Sequence, residues 1–207
     1  KGEVEKKTTV SDYTLEEQSR QTSLSSAMIP CYWRDYKINF IDTPGSEEMV
    51  GEVDNALSVV KGAVLVIDAS KGIEVGTESA WEELRKRNIP TIIFINKMDQ
   101  PGTDRESLLT ELKERLDEGC IVFGKGKNVE SLEEIAMTDE AVLDYFMEHE
   151  TVRNEDICRL IRERKIFPCY FGSALKLDGV QELLAGFEEY MKPFDGKKGF
   201  GARVFKI

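Results

Sequence analysis

A chain of 207 residues with 41% hydrophobic content can bury a full core, and reads as one large domain or one domain with an insertion. Its 28 Lys and Arg against 39 Asp and Glu give a formal net charge of −11, which argues against direct DNA binding or attachment to an anionic membrane through the surface as a whole. Four cysteines without C-x-x-C spacing, a single histidine (His149), no long apolar run and no signal peptide suggest no disulfide framework, zinc site or membrane span, so a cytoplasmic protein is expected, and it is taken to be a monomer.

In chain order, residues 1–25 are rich in Thr, Ser, Glu and Gln without hydrophobic periodicity, and read as a mobile loop. Residues 27–33 and 36–41 read as two strands of a β-hairpin turning at Arg34-Asp35, with Pro30 favouring an edge. The second strand runs into Asp42-Thr43-Pro44-Gly45. An Asp closing a buried strand, with Gly three residues on, suits a Mg²⁺-nucleotide site. Asp42 can hold a hard cation through a water, and Gly45 can aim its N–H at a terminal phosphate. An Asp-x-Pro-Gly turn alone is common; the apolar strand before it and the motifs downstream favour the ligand reading. Ser46 is expected to cap a helix over residues 46–60.

Residues 63–68 read as a buried strand, 75–87 as a helix, and 91–95 as a second buried strand. That strand ends in Asn96-Lys97-Met98-Asp99. Ligands of open α/β sheets bind at the carboxyl edge of the strands, and this set suits guanine. The Asp99 carboxylate can accept from both the ring N–H and the exocyclic amine, which only guanine offers together. Lys97 can lay its stem on the ring, and Asn96 can bond the base edge and brace the loop. A helix over 104–118 follows, with Thr103 as its expected cap. From 119 to 165 the strand–helix rhythm breaks, and a charged, mostly helical insertion is expected. Gly124-Lys125-Gly126-Lys127 lacks the G-x-x-x-x-G-K-[ST] spacing and reads as a solvated loop. A last strand at 166–171 leads to Gly172-Ser173-Ala174, where a Ser-Ala turn can offer a backbone N–H to the guanine carbonyl and reject adenine. A helix over 180–191 closes the pattern.

With these motifs in this order, the chain resembles the GTP-binding domain of translational GTPases, of the elongation factor G and tetracycline-resistance ribosomal protection kind. The resemblance also takes in Thr8 to Tyr13, Glu17 to Arg20, Gly72-Ile73-Glu74-Val75 and Val204-Phe205-Lys206-Ile207. It implies an α/β fold: a P-loop GTPase-type three-layer sandwich with a mostly parallel sheet and a helical insertion. The domains would be 1–118 and 166–192 for the nucleotide domain, 119–165 for the insertion, and 193–207 for a linker and the first strand of a barrel. It implies GTP and GDP with Mg²⁺ as ligands, the ribosome as partner, and hydrolysis of GTP to GDP and phosphate.

Three departures qualify this. The family's phosphate loop and the strand before it are missing from residues 1–207, and a chain opening at Lys1-Gly2 reads as the remainder of a longer polypeptide. That strand normally lies between two strands present here, so its loss would leave a gap in the core. Arg20-Gln21-Thr22-Ser23-Leu24 stands where the family has Arg-Gly-Ile-Thr-Ile; the resemblance makes the Ser23 hydroxyl the matching Mg²⁺ ligand, with Thr22, one residue off, the less favoured substitute. Ser46 stands where the family has a histidine that orients the attacking water. Serine is too short and titrates far from neutrality, so hydrolysis is expected to be slower by ~10² to 10⁴. The alternatives are a guanine-nucleotide sensor without turnover, or a ribosome-docking module.

Overall fold

The computed structural model describes residues 9–124 and 129–191. These fall into two compact units, 9–60 and 61–191. The expected linker and barrel strand at 193–207, the first eight residues and the expected loop at 125–128 lie outside the described residues.

In the first unit, Leu15–Arg20 forms a short helix, α1, which corrects the expectation of a loop through residue 25. Its 6 residues are too few to show an apolar period. What nucleates it is a reciprocal capping box. The Thr14 hydroxyl accepts from the Glu17 N–H at 3.2 Å, and the Glu17 carboxylate accepts from the Thr14 N–H at 3.1 Å. The other Glu17 oxygen accepts from the N–H groups of Leu24 and Ser25, both at 3.0 Å. This carboxylate is completely buried and ties the helix to the chain entering the hairpin. The hairpin forms as expected. β1 (Ala27–Trp33) and β2 (Tyr36–Asp42) are antiparallel, from Ala27 opposite Asp42 to Trp33 opposite Tyr36. Beyond Gly45, a single 3-10 turn at Glu47–Met49 precedes α2 (Val50–Leu57).

The second unit runs β3 (Ala63–Asp68), α3 (Val75–Lys86), β4 (Thr91–Asn96), α4 (Arg105–Arg115), β5 (Cys120–Val122), α5 (Val129–Ala136), α6 (Glu140–His149), α7 (Asn154–Arg162), β6 (Phe167–Phe171) and α8 (Val180–Tyr190). Its four strands are all parallel, in the order β3-β4-β6-β5. The alternation of side chains along β4 builds two cores. Ile93 and Ile95 pack with Leu65, Trp81, Leu108 and Leu112 on one face, and Ile92 and Phe94 with Ile135, Val142, Ile157 and Leu160 on the other. A strand covered on both faces reads as an unbroken apolar run, which is why 91–95 carries no polar alternation. The result is an α/β unit with helices on both faces of a parallel sheet. At its β3 edge, Val66 stays 59% exposed.

Two sequence expectations change. β5 is a strand inside the stretch expected to be helical; with 3 residues it is too short to carry a pattern, and it forms by pairing Cys120 with Phe167 and Val122 with Cys169. The cap of α4 is Asp104, whose carboxylate accepts from the Ser107 N–H at 2.8 Å, and not Thr103. The Thr103 hydroxyl instead donates to the carbonyls of Met98 and Gln100, closing the loop after β4. Helices α5 to α7 are present as expected, and they contribute to the same core as β4, β5 and β6. Among the described residues no helix is long and apolar enough to cross a membrane.

Candidate guanine-nucleotide site

In the second unit, the carboxyl ends of β3, β4 and β6 deliver three short polar segments. In-register pairing sets Asp68 beside Asn96 and Ile95 beside Phe171. The loops after β4 and β6 are then laced together, with the Met98 N–H donating to the Gly172 carbonyl at 3.0 Å and the Gly172 N–H to the Ile95 carbonyl at 2.9 Å. Gly172 is required by space, since a Cβ there would stand 2.1 Å from the Asp178 carbonyl oxygen.

Asn96 is the hinge of the arrangement. Its side-chain oxygen accepts from the Lys97 N–H and from the Ala174 N–H, each at 2.8 Å. This holds Lys97 in the left-handed region, φ 65, an unusual conformation for a residue with a side chain and one concentrated at functional sites. The Lys97 ammonium lies 2.6 Å from Asp68, whose carboxylate also takes the Ser70 N–H and hydroxyl. The hydrogen bond from Lys97, then that from Ser70, bring the Asp68 carboxyl down to about 2. Asp99 is held below the ordinary carboxylate range by a hydrogen bond from Ser173 first and by the Lys176 ammonium, 3.1 Å away, second. It is therefore an anion well below neutral pH, ready to accept. Ser173 is buried, and its backbone closes a turn with Asp178 through two bonds of 3.0 Å.

These residues surround an open cleft of about 370 Å³, lined by Ser70, Asn96, Lys97, Asp99, Gln100, Ser173 and Leu175. Of the residues expected from sequence, Asn96, Lys97, Asp99 and Ser173 line it, and Ala174 is bonded to its wall. Asp68, Ser70, Gln100, Leu175 and Lys176 were not expected. For Asp68 a signal existed: it closes a buried strand, and the ends of neighbouring parallel strands share one edge.

Ser23, Asp42, Gly45 and Ser46 belong to the first unit. The Ser23 hydroxyl donates to Asp12 at 2.7 Å, and Thr9 donates to the other oxygen of Asp12 at 2.9 Å. Asp42 is pushed up from its ordinary value by burial; a hydrogen bond from Ser11 opposes that, and the Asp12 carboxylate adds to it. A Cβ at Gly45 would meet no described atom within 4 Å. The Ser46 hydroxyl accepts from the Glu48 N–H at 3.4 Å, capping the 3-10 turn. Among the described residues, no three His, Cys, Asp or Glu side chains are grouped to hold a metal by themselves.

The chain matches the family described as elongation factor Tu GTP binding domain over residues 1–193. It belongs to that family. It is 32% identical to elongation factor G of Thermotoga maritima, an alignment taking in 98% of this chain and 36% of that protein. It is 31% identical to tetracycline resistance protein TetW of Butyrivibrio fibrisolvens, over 100% of this chain and 35% of the relative. A solved structure from Thermus thermophilus superposes with a TM-score of 0.82 at 25% identity, covering 91% of this chain and 35% of the other. The fold is thus that of P-loop GTPases, and this chain of the elongation factor G and TetW kind spans about a third of the length of these relatives.

Proposed function

We propose that the cleft after β4 and β6 is the base-recognition half of a GTP site, and that the chain serves as the nucleotide domain of a ribosome-associated translation factor. The observation that carries this is the convergence of Asn96, Lys97, Asp99 and Ser173-Ala174, from two separate loops, on one cleft of about 370 Å³. Asp99 accepts from the ring N–H and exocyclic amine of guanine. The Lys97 stem covers one side of the ring, and Leu175, exposed at 72%, offers an apolar surface in a polar cleft. The guanine carbonyl takes the Ala174 N–H from the Asn96 side-chain oxygen, and the Asn96 side-chain NH2 donates to the base edge. Adenine presents an amine there, which cannot accept from Ala174 and sets donor against donor, the kind of mismatch that discriminates strongly.

In the first unit, Asp42 and Ser23 are the residues that would hold Mg²⁺. The fit is chemical: Ser23 donates its proton to Asp12 and so keeps its oxygen lone pairs free, and the carboxylates of Asp42 and Asp12 repel each other in a way a cation would relieve. Bound Mg²⁺ would neutralise charge on the phosphates. A side chain at Gly45 would meet no described atom within 4 Å, so that face of its backbone is open among the described residues. Within residues 119–165, the helices α5 to α7 are read as the family's helical insertion, while β5 belongs to the sheet.

The test is affinity for GTP, GDP and ATP with Mg²⁺, on this chain and on a longer polypeptide that includes a phosphate loop. Guanine-selective binding, abolished by Asp99→Ala, is the expected result; equal affinity for ATP, or no guanine binding by either, overturns the base-site assignment.

A second reading, a nucleotide sensor without turnover, is favoured by one observation: Ser46 serves as a helix cap and offers no group that titrates near neutrality. Single-turnover hydrolysis with ribosomes separates the two. If the chain is a slow GTPase, Ser46→His raises its rate by up to ~10² to 10⁴, the usual worth of a positioned proton-handling group. A rate of zero in both proteins supports the sensor.

A further inference from the structure

The turn after β6 does more than supply Ser173 and Ala174. It is closed at both ends by the paired Ser173 and Asp178 backbones, and the Lys176 N–H donates to the Ser173 hydroxyl at 3.3 Å. Leu177 takes a left-handed φ of 62 to complete it. A turn fixed in this way carries the Lys176 side chain back over the loop after β4, and its ammonium sits 3.1 Å from Asp99 Oδ2. Asp99 is only 18% exposed, whereas Lys176 is 63% exposed and able to swing into water. The oxygen that guanine needs is therefore already covered by a cation belonging to the protein.

We propose that Lys176 is a specificity-determining residue of the base site, its ammonium competing with guanine for the Asp99 carboxylate. This rests on the base-site reading above. Guanine donates twice, from the ring N–H and the exocyclic amine, and needs both oxygens of Asp99. Binding it exchanges the Lys176 ion pair and the Ser173 hydrogen bond for two hydrogen bonds from neutral donors. Hypoxanthine has the ring N–H but no exocyclic amine, needs a single oxygen, and leaves Lys176 in place. Lys176 thus penalises guanine and spares hypoxanthine, lowering the selectivity that Asp99 could otherwise deliver. At the same time, Asp99 is neutralised whenever the cleft is empty, and its displaced cation favours release of the bound base.

The experiment is the ratio of inosine diphosphate to guanosine diphosphate dissociation constants, measured by calorimetry with Mg²⁺. The two ligands share ribose, phosphates and ring, so the ratio cancels any general attraction of Lys176 for phosphate. In Lys176→Met the ratio should rise about two- to fivefold, the worth of a solvent-exposed ion pair. Lys176→Arg, which keeps the charge, should hold it at or below the wild-type value. Raising salt from about 0.05 M to about 0.5 M should move the wild-type ratio towards that of Lys176→Met and leave the variant unchanged. An unchanged or lower ratio in Lys176→Met overturns the proposal while the base site stands. Failure of both this chain and the longer polypeptide to bind either diphosphate overturns the base site, and the role of Lys176 with it.

Discussion

Glu17 shows how one carboxylate can organise a segment. Burial alone would raise its pKa, but hydrogen bonds from Thr14, Leu24 and Ser25 outweigh that and hold it at about 2. A carboxyl depressed from 4.5 when folded contributes stability that is complete above about 4.5 and lost as the pH falls towards about 2. Acid unfolding of the wild-type protein should therefore be steeper across that window than that of Glu17→Gln. At neutral pH the substitution should cost about 1.5–3 kcal/mol, the range for hydrogen bonds to a charged group. Faster hydrogen exchange at the Leu24 and Ser25 amides would place the loss in this segment. The residue is partly legible in the sequence, since Thr14-x-x-Glu17 is a capping-box spelling. The bonds to Leu24 and Ser25 are not, because a side chain reaching seven residues ahead leaves no local pattern.

Among the elements, α4 offers a choice between two adjacent capping residues that sequence could not make. Thr103 and Asp104 are both good caps, and the decision falls to the loop, which engages the Thr103 hydroxyl with Met98 and Gln100. Asp104→Ala should lower stability to denaturant without altering nucleotide selectivity. Thr103→Val, by contrast, should disturb the loop that carries Asp99 and weaken guanine binding more than it weakens the fold. The strands are legible where they are long and buried. β4 is visible because two covered faces demand an unbroken apolar run, and the hairpin because β1 and β2 are bounded by a clear turn. β5 escapes a sequence reading because its 3 residues hold their place through pairing with β6 and not through their own preference. In the candidate site the same division appears. Asn96, Lys97 and Asp99 lie within one tetrapeptide and could be read, whereas Asp68 and Lys176 reach them only through strand register and a closed turn.

At the scale of the whole chain, the proposed ligand should stabilise what it binds. Guanosine diphosphate at about a hundred times its dissociation constant adds about 2.7 kcal/mol to a folded state that alone binds it, and should raise the melting temperature of the second unit. Adenosine diphosphate at the same concentration should not. The 2 tryptophans of the sequence happen to be divided between the units. Trp33 sits half-buried near the hairpin turn with the Arg34 guanidinium 5.4 Å from its ring centre. Trp81 is buried in the second unit, edge-on to Phe167 at 4.6 Å, with the Arg164 guanidinium 4.8 Å from its ring. One indole is wetted and the other dry, so their emission differs in colour before any label is added. Trp33→Phe and Trp81→Phe would each leave a protein that glows from one unit only, turning the division of the chain into two separately legible melting curves.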